Sequence, residues 1–287
     1  MKNLDFFSID YKFEFQEELF SRIINSAEFQ RLKGVSFLGF MAKNFNTRKD
    51  YSRFEHSLGV AFLAKNLANR LNLDDDEARL FILASFLHDI GHMPFSHASE
   101  EVFSKISRMN HYRRTIDMIK GRKLLKTGGE QENVAAIIKD FNIHPEEIIN
   151  LYNGKSQFPF LNELWKNPIN LDTIDAINRC AYSFKTENIN PLHVIDYIQR
   201  NEKGNLFIDV KDIEKLDKFW NLKDFIYTQF IYGKKNIILE SMLNQALFTY
   251  FKGKKSNISK YNLFTDDKMI EYLKKKSTSR EIFDKLE

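Results

Sequence analysis

The chain is poor in the residues that punctuate short strands and staple small folds. Eleven glycines and five prolines in 287 residues leave few turn signals, which argues against a protein built from many short strands. The single cysteine, Cys180, excludes an intrachain disulfide framework and fits a reducing compartment. No apolar run approaches the ~18 residues of a membrane span. The opening stretch, MKNLDFFSIDYKFEF, lacks the basic-then-apolar pattern of a secretory leader. The expected location is therefore the cytoplasm, with no membrane partner. Excess charge is also scarce, at a net +4. What excess there is lies in KGKK at 252–255 and KKK at 274–276. Such runs are ordinarily solvated surface, and attracting phosphate-bearing ligands or nucleic acid would require them to cluster on one face.

What is present is helical periodicity. With 43% hydrophobic and 29% charged residues, the composition is that of a soluble globular protein with a sizeable core, in one large domain or two modest ones. In EFQRLKGVSFLGF, Phe29, Leu32 and Leu38 recur at roughly helical spacing. The stretch SRFEHSLGVAFLAKNLANRLNL is amphipathic, with Ser52 as N-cap and Leu58, Phe62, Leu63, Leu67 and Leu71 on one face. DDDEARLFILASFLHDIG opens on aspartates that suit the positive end of a helix and is apolar nearly all round. It predicts a buried central helix ending at Gly91 as the C′ residue. Further helices are predicted at about 96–107, 111–120, 132–141, 145–152, 170–184, 190–201, 212–251 and 265–276, with NEKGNLFIDV as a short hairpin. The expected fold class is mainly α, a helical core over 1–204 with a helical C-terminal extension, 205–287, packed on it.

Four of the seven histidines stand in two short stretches, RFEHSLGV and LHDIGHMPFSH. Two of them lie in or beside apolar runs, where an unpaired polar ring is costly. His88 and Asp89 are adjacent, and successive helix positions point ~100° apart. They share a target only where the helix ends, beside Gly91. An imidazole and a carboxylate together suit a borderline divalent cation such as Mn, Fe, Zn or Ni. His56 meets them if the two helices pack antiparallel, and Asp172, in NLDTIDAINR, can supply a fourth ligand. Two histidines and two aspartates leave positions open for water and a substrate oxygen, as catalytic metal sites require. Singly, each residue also has an ordinary explanation: a core histidine satisfied by its neighbours, or an aspartate capping a helix start.

The flanks add a resemblance. RFEHSLGV, LHDIGHMPFSH and Asp172 resemble the HD superfamily of metal-dependent phosphohydrolases, and FQRLKGVSFLG at 29–39 resembles the segment before the first histidine in one branch of it. That branch is the deoxynucleoside triphosphate triphosphohydrolases, the bacterial dGTPases and the SAM-and-HD-domain enzymes. The resemblance covers about residues 28–185 and implies an HD-domain catalytic core. It implies a divalent metal (Mn, Fe, Ni, Zn or Mg) held by His56, His88, Asp89 and Asp172. It puts His92 and His97 at the phosphate, with His97 as general acid/base and Glu100 orienting it. His111 joins the active-site pocket, Arg53 contacts phosphate, and a homo-oligomer is implied. These roles cohere: a metal neutralises phosphate and activates water, and an imidazole titrating near neutral pH moves the proton. His144 and His193 sit in loop-like contexts and are taken as ordinary residues.

The departures from that branch are as informative. Where it reads D-(K/R)-x-D-Y and continues to RD, this chain has DTIDAINRC. Thr173 thus replaces a phosphate-binding base, Ala176 a tyrosine that senses the deoxyribose, and Cys180 an aspartate that meets the sugar 3′-hydroxyl. Phe37 stands where a glutamine supports sugar recognition. The expectation is an intact metal site beside a remodelled deoxynucleotide pocket, in a phosphohydrolase acting on a nucleotide or related small phosphate ester. The alternatives are a phosphodiesterase or nuclease acting on a cyclic nucleotide or nucleic acid, supported by the lysine runs, and a nucleotide-binding regulatory module without turnover. A further one is a dinuclear oxidative centre using His92 or His111 as extra ligands.

Overall fold

The computed structural model describes residues 15–122, 132–252 and 261–285. Most of the opening stretch, and residues 253–255 of the first lysine run, lie outside the described residues. Helix α1 (Glu18–Asn25) buries Leu19, Phe20, Ile23 and Ile24 on one face. Ser26 ends it and caps α2 (Ala27–Arg31) by accepting from the Phe29 amide. The helical spacing of EFQRLKGVSFLGF holds only this far. A 3₁₀ turn, Leu32–Gly34, follows, and the chain then extends so that Ser36 bridges Ser52 antiparallel. Gly34 is needed there, because a Cβ would lie 2.4 Å from Thr265 Cγ2. The short α3 (Met41–Asn44) leads on to the central pair.

Helix α4 (Arg53–Arg70) starts at Ser52 with a capping box, Ser52 and Glu55 satisfying each other's orphan backbone amides. A turn at 71–74 returns the chain into α5 (Asp75–Leu87), capped by Asp74 and opened by three acidic residues. So short a link makes the two helices antiparallel neighbours. Helix α5 stops at Leu87, with His88 as its C-cap, and Gly91 is not a left-handed C′ glycine. Gly91 is demanded by contact instead: a Cβ would sit 2.2 Å from the His111 carbonyl oxygen and 2.4 Å from the Thr115 nitrogen.

A 3₁₀ turn, Ser96–Ser99, runs into α6 (Glu100–Ser107). Then come α7 (His111–Ile119), α8 (Val134–Asp140), α9 (Pro145–Tyr152), α10 (Pro159–Lys166), α11 (Leu171–Ser183) and α12 (Pro191–Ile195). Helix α10 is absent from the sequence expectations, although Pro159 stands at its first position as a start signal. Helix α12 stops at Ile195 rather than at 201. The Arg70 Nη2 donates to the carbonyls of both Ile195 and Ile198, taking acceptors that a longer helix would need. The chain then forms β1 (Gln199–Arg200), paired antiparallel with β2 (Leu206–Phe207), the expected hairpin and the one sheet among the described residues.

Helix α13 (Ile213–Ile226), a π turn at Tyr227–Ile231, α14 (Lys234–Phe251), α15 (Asp266–Lys274) and α16 (Ser277–Phe283) complete the fold. The helix expected over 212–251 is thus broken at the π turn and at Gly233, where a Cβ would lie 2.6 Å from the Gln229 carbonyl oxygen. The fold is mainly α. Its larger apolar cluster centres on α4, α5 and α11, with Phe86 packed among Phe15, Phe20 and Phe29. A second cluster joins Met93, Phe95 and Phe103 to Leu243, Leu247, Phe251 and Phe283. The C-terminal helices therefore share a core with the segment that carries His92 and His97. In the second lysine run, Lys276 Nζ donates to the Thr249 carbonyl at 2.7 Å and Lys275 lies over the Tyr272 ring at 4.6 Å.

Candidate metal centre

The start of α4, the end of α5 and the start of α11 bring His56, His88 and Asp172 to one point. His56 Nε2 lies 3.3 Å from His88 Nε2 and 3.0 Å from Asp172 Oδ1, and His88 Nε2 lies 3.9 Å from that oxygen. Ligands held ~2.1 Å from one ion and roughly 90–109° apart are ~3.0–3.4 Å from each other, so this spacing fits a single cation after small adjustments. Asp89 faces both imidazoles, with Oδ2 3.6 Å from His56 Nε2 and Oδ1 3.4 Å from His88 Nε2. Its Oδ2 also accepts from Arg53 Nη1 at 2.6 Å.

The outer nitrogens fix which atoms point inward. His88 Nδ1 lies 2.8 Å from the Ser85 carbonyl oxygen. A carbonyl can only accept, so Nδ1 carries the proton and the Nε2 lone pair faces the cluster. His56 Nδ1 lies 2.6 Å from Asp175 Oδ2, which also takes Arg179 Nε at 2.6 Å. A buried carboxylate behind a histidine sets its tautomer and ring orientation. Burial alone would lower the His56 pKa, but its hydrogen bonds to Asp172 and Asp175 outweigh it and lift it to about 9. A proton held there is what a cation would displace. Burial would raise the Asp89 carboxyl, yet His88, Arg53 and His92 hold it well below the usual carboxylate range. Two imidazole lone pairs with two carboxylates suit a borderline divalent ion.

The turn that carries His88 and Asp89 is fixed from outside. Thr115 Oγ1 donates to the His88 carbonyl at 3.1 Å and accepts from the Gly91 amide at 3.0 Å. Arg31 Nη2 donates to the Ile90 carbonyl and Arg114 Nε to the Gly91 carbonyl, both at 2.8 Å. The carbonyls of the turn that follows α5 are thereby satisfied.

A second group, His92, His97 and His111, adjoins the first, with donor atoms within 4.8 Å of one another. The His92 ring stacks on His111 with centroids 4.2 Å apart and meets His97 edge-on at 4.6 Å. Glu100 ties the other two together. Its Oε2 lies 3.2 Å from His97 Nδ1, and its Oε1 lies 2.7 Å from His111 Nδ1 and 2.8 Å from the His111 amide. Burial would raise the Glu100 carboxyl, but those bonds to His111 and His97 hold it well below its usual range. His92 is buried, and its Nδ1 has no hydrogen-bond partner among the described residues. Burial first, and Arg53 next, push its pKa well below the usual imidazole value, so the ring is neutral. Its Nε2 lies 3.3 Å from Asp89 Oδ1, which links the two groups.

Beside them opens a cavity of about 360 Å³, lined by Arg53, His97, Asp172 and all four positions of departure, Phe37, Thr173, Ala176 and Cys180. The Phe37 ring lies 4.8 Å from the His56 ring, centroid to centroid, and the Arg53 guanidinium covers Phe37 at the same distance. Burial pushes the Cys180 thiol up to about 12, so it is no nucleophile at neutral pH. Arg53 reaches this wall with its donors already directed to Asp89, Ser96 Oγ and the Phe37 carbonyl. Sequence reasoning missed Asp175 behind His56 and the wall formed by Ile226, Tyr227, Ile231 and Glu240. Asp175 had a signal, standing one helical turn from both Asp172 and Arg179. The wall residues, far along the chain, had none.

Residues 53–177 match the HD domain family model. Over 247 residues the chain is 27% identical to the uncharacterized protein YwfO of Bacillus subtilis, covering 80% of this chain and 53% of that one. Over 142 residues it is 32% identical to the bovine deoxynucleoside triphosphate triphosphohydrolase SAMHD1, covering 46% of this chain and 23% of that enzyme. The chain thus spans about half the length of the Bacillus relative and less of the bovine one. Among solved structures, a hypothetical protein from Aquifex aeolicus superposes with a TM-score of 0.78 at 26% identity, covering 94% of this chain and 71% of that one. A phosphohydrolase from Bacteroides thetaiotaomicron, at 19% identity and a TM-score of 0.70 over 90% of this chain and 65% of that one, shares the fold. No described helix is long and apolar enough to cross a membrane. The paired His88 and Asp89 close on His56 and Asp172 inside the matched segment, which identifies residues 53–177 as an HD domain.

Proposed function

We propose that the chain is a metal-dependent phosphohydrolase acting on a nucleotide or related small phosphate ester, with His56, His88, Asp89 and Asp172 holding one divalent cation. The observation that supports this best is the pair of imidazole Nε2 atoms, 3.3 Å apart, facing Asp172 at the edge of the cavity. A bound cation would neutralise phosphate charge and make an attacking water more acidic. Arg53 and the neutral His92 flank the position a phosphate would take. His97, with its side chain 62% exposed and Nδ1 set by Glu100, carries the proton to or from a leaving oxygen. His111 holds Glu100 from the other side. The bovine relative's name points to nucleotides as the substrate class.

In the cavity wall Phe37, Ala176 and Cys180 offer no strong partner to a sugar hydroxyl. Each lost buried hydrogen bond removes about 1–3 kcal/mol of discrimination, so ribose and deoxyribose substrates should be cleaved at similar rates. The test is a phosphate-release screen over ribo- and deoxynucleotides and simple phosphate esters with Mn²⁺, Mg²⁺, Co²⁺ and Ni²⁺. Strong preference for dGTP over GTP would sink the pocket assignment. Nucleotide binding without turnover under every metal would leave a regulatory module in place of an enzyme. The second histidine group favours one other reading, a dinuclear centre with His92, His97 and His111 around a second ion. Elemental analysis decides, one ion per chain supporting the mononuclear assignment and two the dinuclear one.

A further inference from the structure

The segment that carries His97 bends through two consecutive left-handed residues, Phe95 at φ +66° and Ser96 at φ +54°. Neither is glycine, so this conformation needs support from outside the segment. The support comes from far along the chain. Asp266, the first residue of α15, accepts from the Phe95 amide at 2.7 Å through Oδ1 and from the Ser36 amide at 3.0 Å through Oδ2. Ser36 is also joined to the residue that follows Phe95, since Ser96 Oγ donates to the Ser36 carbonyl at 2.6 Å. That hydroxyl in turn accepts from Arg53 Nε at 2.9 Å, and Arg53 Nη1 binds Asp89. Neighbouring contacts seat the clamp: Thr265 fills the space left by Gly34, and Arg31 bridges the carbonyls of Phe264 and Ile90.

We propose that Asp266 is a positioning residue: its carboxylate clamps Ser36 to Phe95 and so sets the place of Ser96, Arg53 and His97 beside the metal centre. The C-terminal helices are then part of the site without touching its ligands. A carboxylate suits the task, because it accepts two charge-assisted bonds at once. An asparagine of the same shape turns one acceptor into a donor and must release one of the two amides. The catalytic consequence rests on the phosphohydrolase reading, whereas the clamp itself does not.

Two readouts on the full chain separate them. In Asp266→Asn, hydrogen exchange of the 90–99 segment should quicken by about tenfold or more, while the amides of α4 and α5 keep their protection. On the metal-loaded protein, titration calorimetry with inorganic phosphate should show roughly tenfold weaker binding at unchanged metal content, with kcat on the best substrate of the screen lower by a similar factor. Ser279→Ala is the control. It removes buried hydrogen bonds to Leu273 and Lys276 in the same C-terminal helices without touching the segment, so it should lower the Tm and leave exchange at 90–99 and phosphate affinity alone. Unchanged exchange at 90–99 in Asp266→Asn would overturn the clamp, as would equal loosening in Ser279→Ala. If wild-type protein binds no phosphate, the phosphohydrolase reading falls and the exchange result still decides the clamp. Should Asp266→Asn fail to fold, Asp266→Ser, which keeps a small polar group at the helix start, carries the same measurements.

Discussion

Two residues bear different loads at the centre, and removing each should have a different signature. Asp175 is fully buried. It fixes His56 through Nδ1 and neutralises the buried Arg179. Asp175→Asn keeps the shape but removes the charge behind both. Loss of such a supporting carboxylate typically weakens metal binding by about 10–100-fold, and breaking a buried ion pair such as Asp175–Arg179 costs about 3–5 kcal/mol. Competitive metal titration and urea unfolding should therefore both move, and wild-type affinity in this variant would remove Asp175 from the site. His97 is the opposite case, exposed and with Glu100 as its hydrogen-bond partner among the described residues. His97→Ala should lower kcat by about 10²–10⁴, the usual weight of a general acid or base, with metal content and Tm unchanged. Full activity would shift the proton transfer to another group, with His111 the first candidate.

At the scale of elements, what was legible in the sequence was local. The N-cap at Ser52, the aspartate-rich start of α5 and the His88–Asp89 pair depend on neighbours within a few positions, and each stands where the pattern puts it. What was not legible depends on residues distant in sequence. Gly91 looked like a helix terminator and proves to be the point where α7 presses on the turn that carries His88 and Asp89. Helix α12 ends early because Arg70, more than a hundred residues away, takes its carbonyls. Nothing in TDDKMIEYLKKK distinguishes a capping acid from one that grips Phe95. The contact at Gly91 yields its own test. A methyl there meets backbone atoms of His111 and Thr115, which cannot swing aside as a side chain would. Overpacking of this kind costs about 1–3 kcal/mol and occasionally more. Gly91→Ala should lower the urea midpoint and, by displacing His88 and Asp89 together, weaken metal binding. A variant with wild-type midpoint and affinity would mean the turn has slack.

At the scale of the whole molecule, the expected boundary at 204/205 falls inside the turn of the hairpin, whose two strands pair across it. Arg200 on the first strand forms two hydrogen bonds with Glu77 of α5, at 2.9 and 3.1 Å, and lies over the Phe160 ring. Beyond it, α13 buries Phe219 and Ile226 in the larger core, while Phe283 of α16 packs 5.5 Å from Phe40. Cutting away 205–287 would uncover Phe40, Met93, Phe95 and Phe103 in the smaller cluster. Each fully buried side chain of this size contributes about 1.5–3 kcal/mol, so the loss is comparable with the ~5–15 kcal/mol that stabilises a whole domain. We therefore expect residues 1–204 and 205–287 to unfold in one transition. Limited proteolysis that nicks the hairpin turn should yield two pieces that stay associated on size exclusion and separate only in denaturant. A folded fragment ending near residue 205, melting cooperatively on its own, would show two independent units. It would also mean that the metal centre can keep its shape without the C-terminal helices.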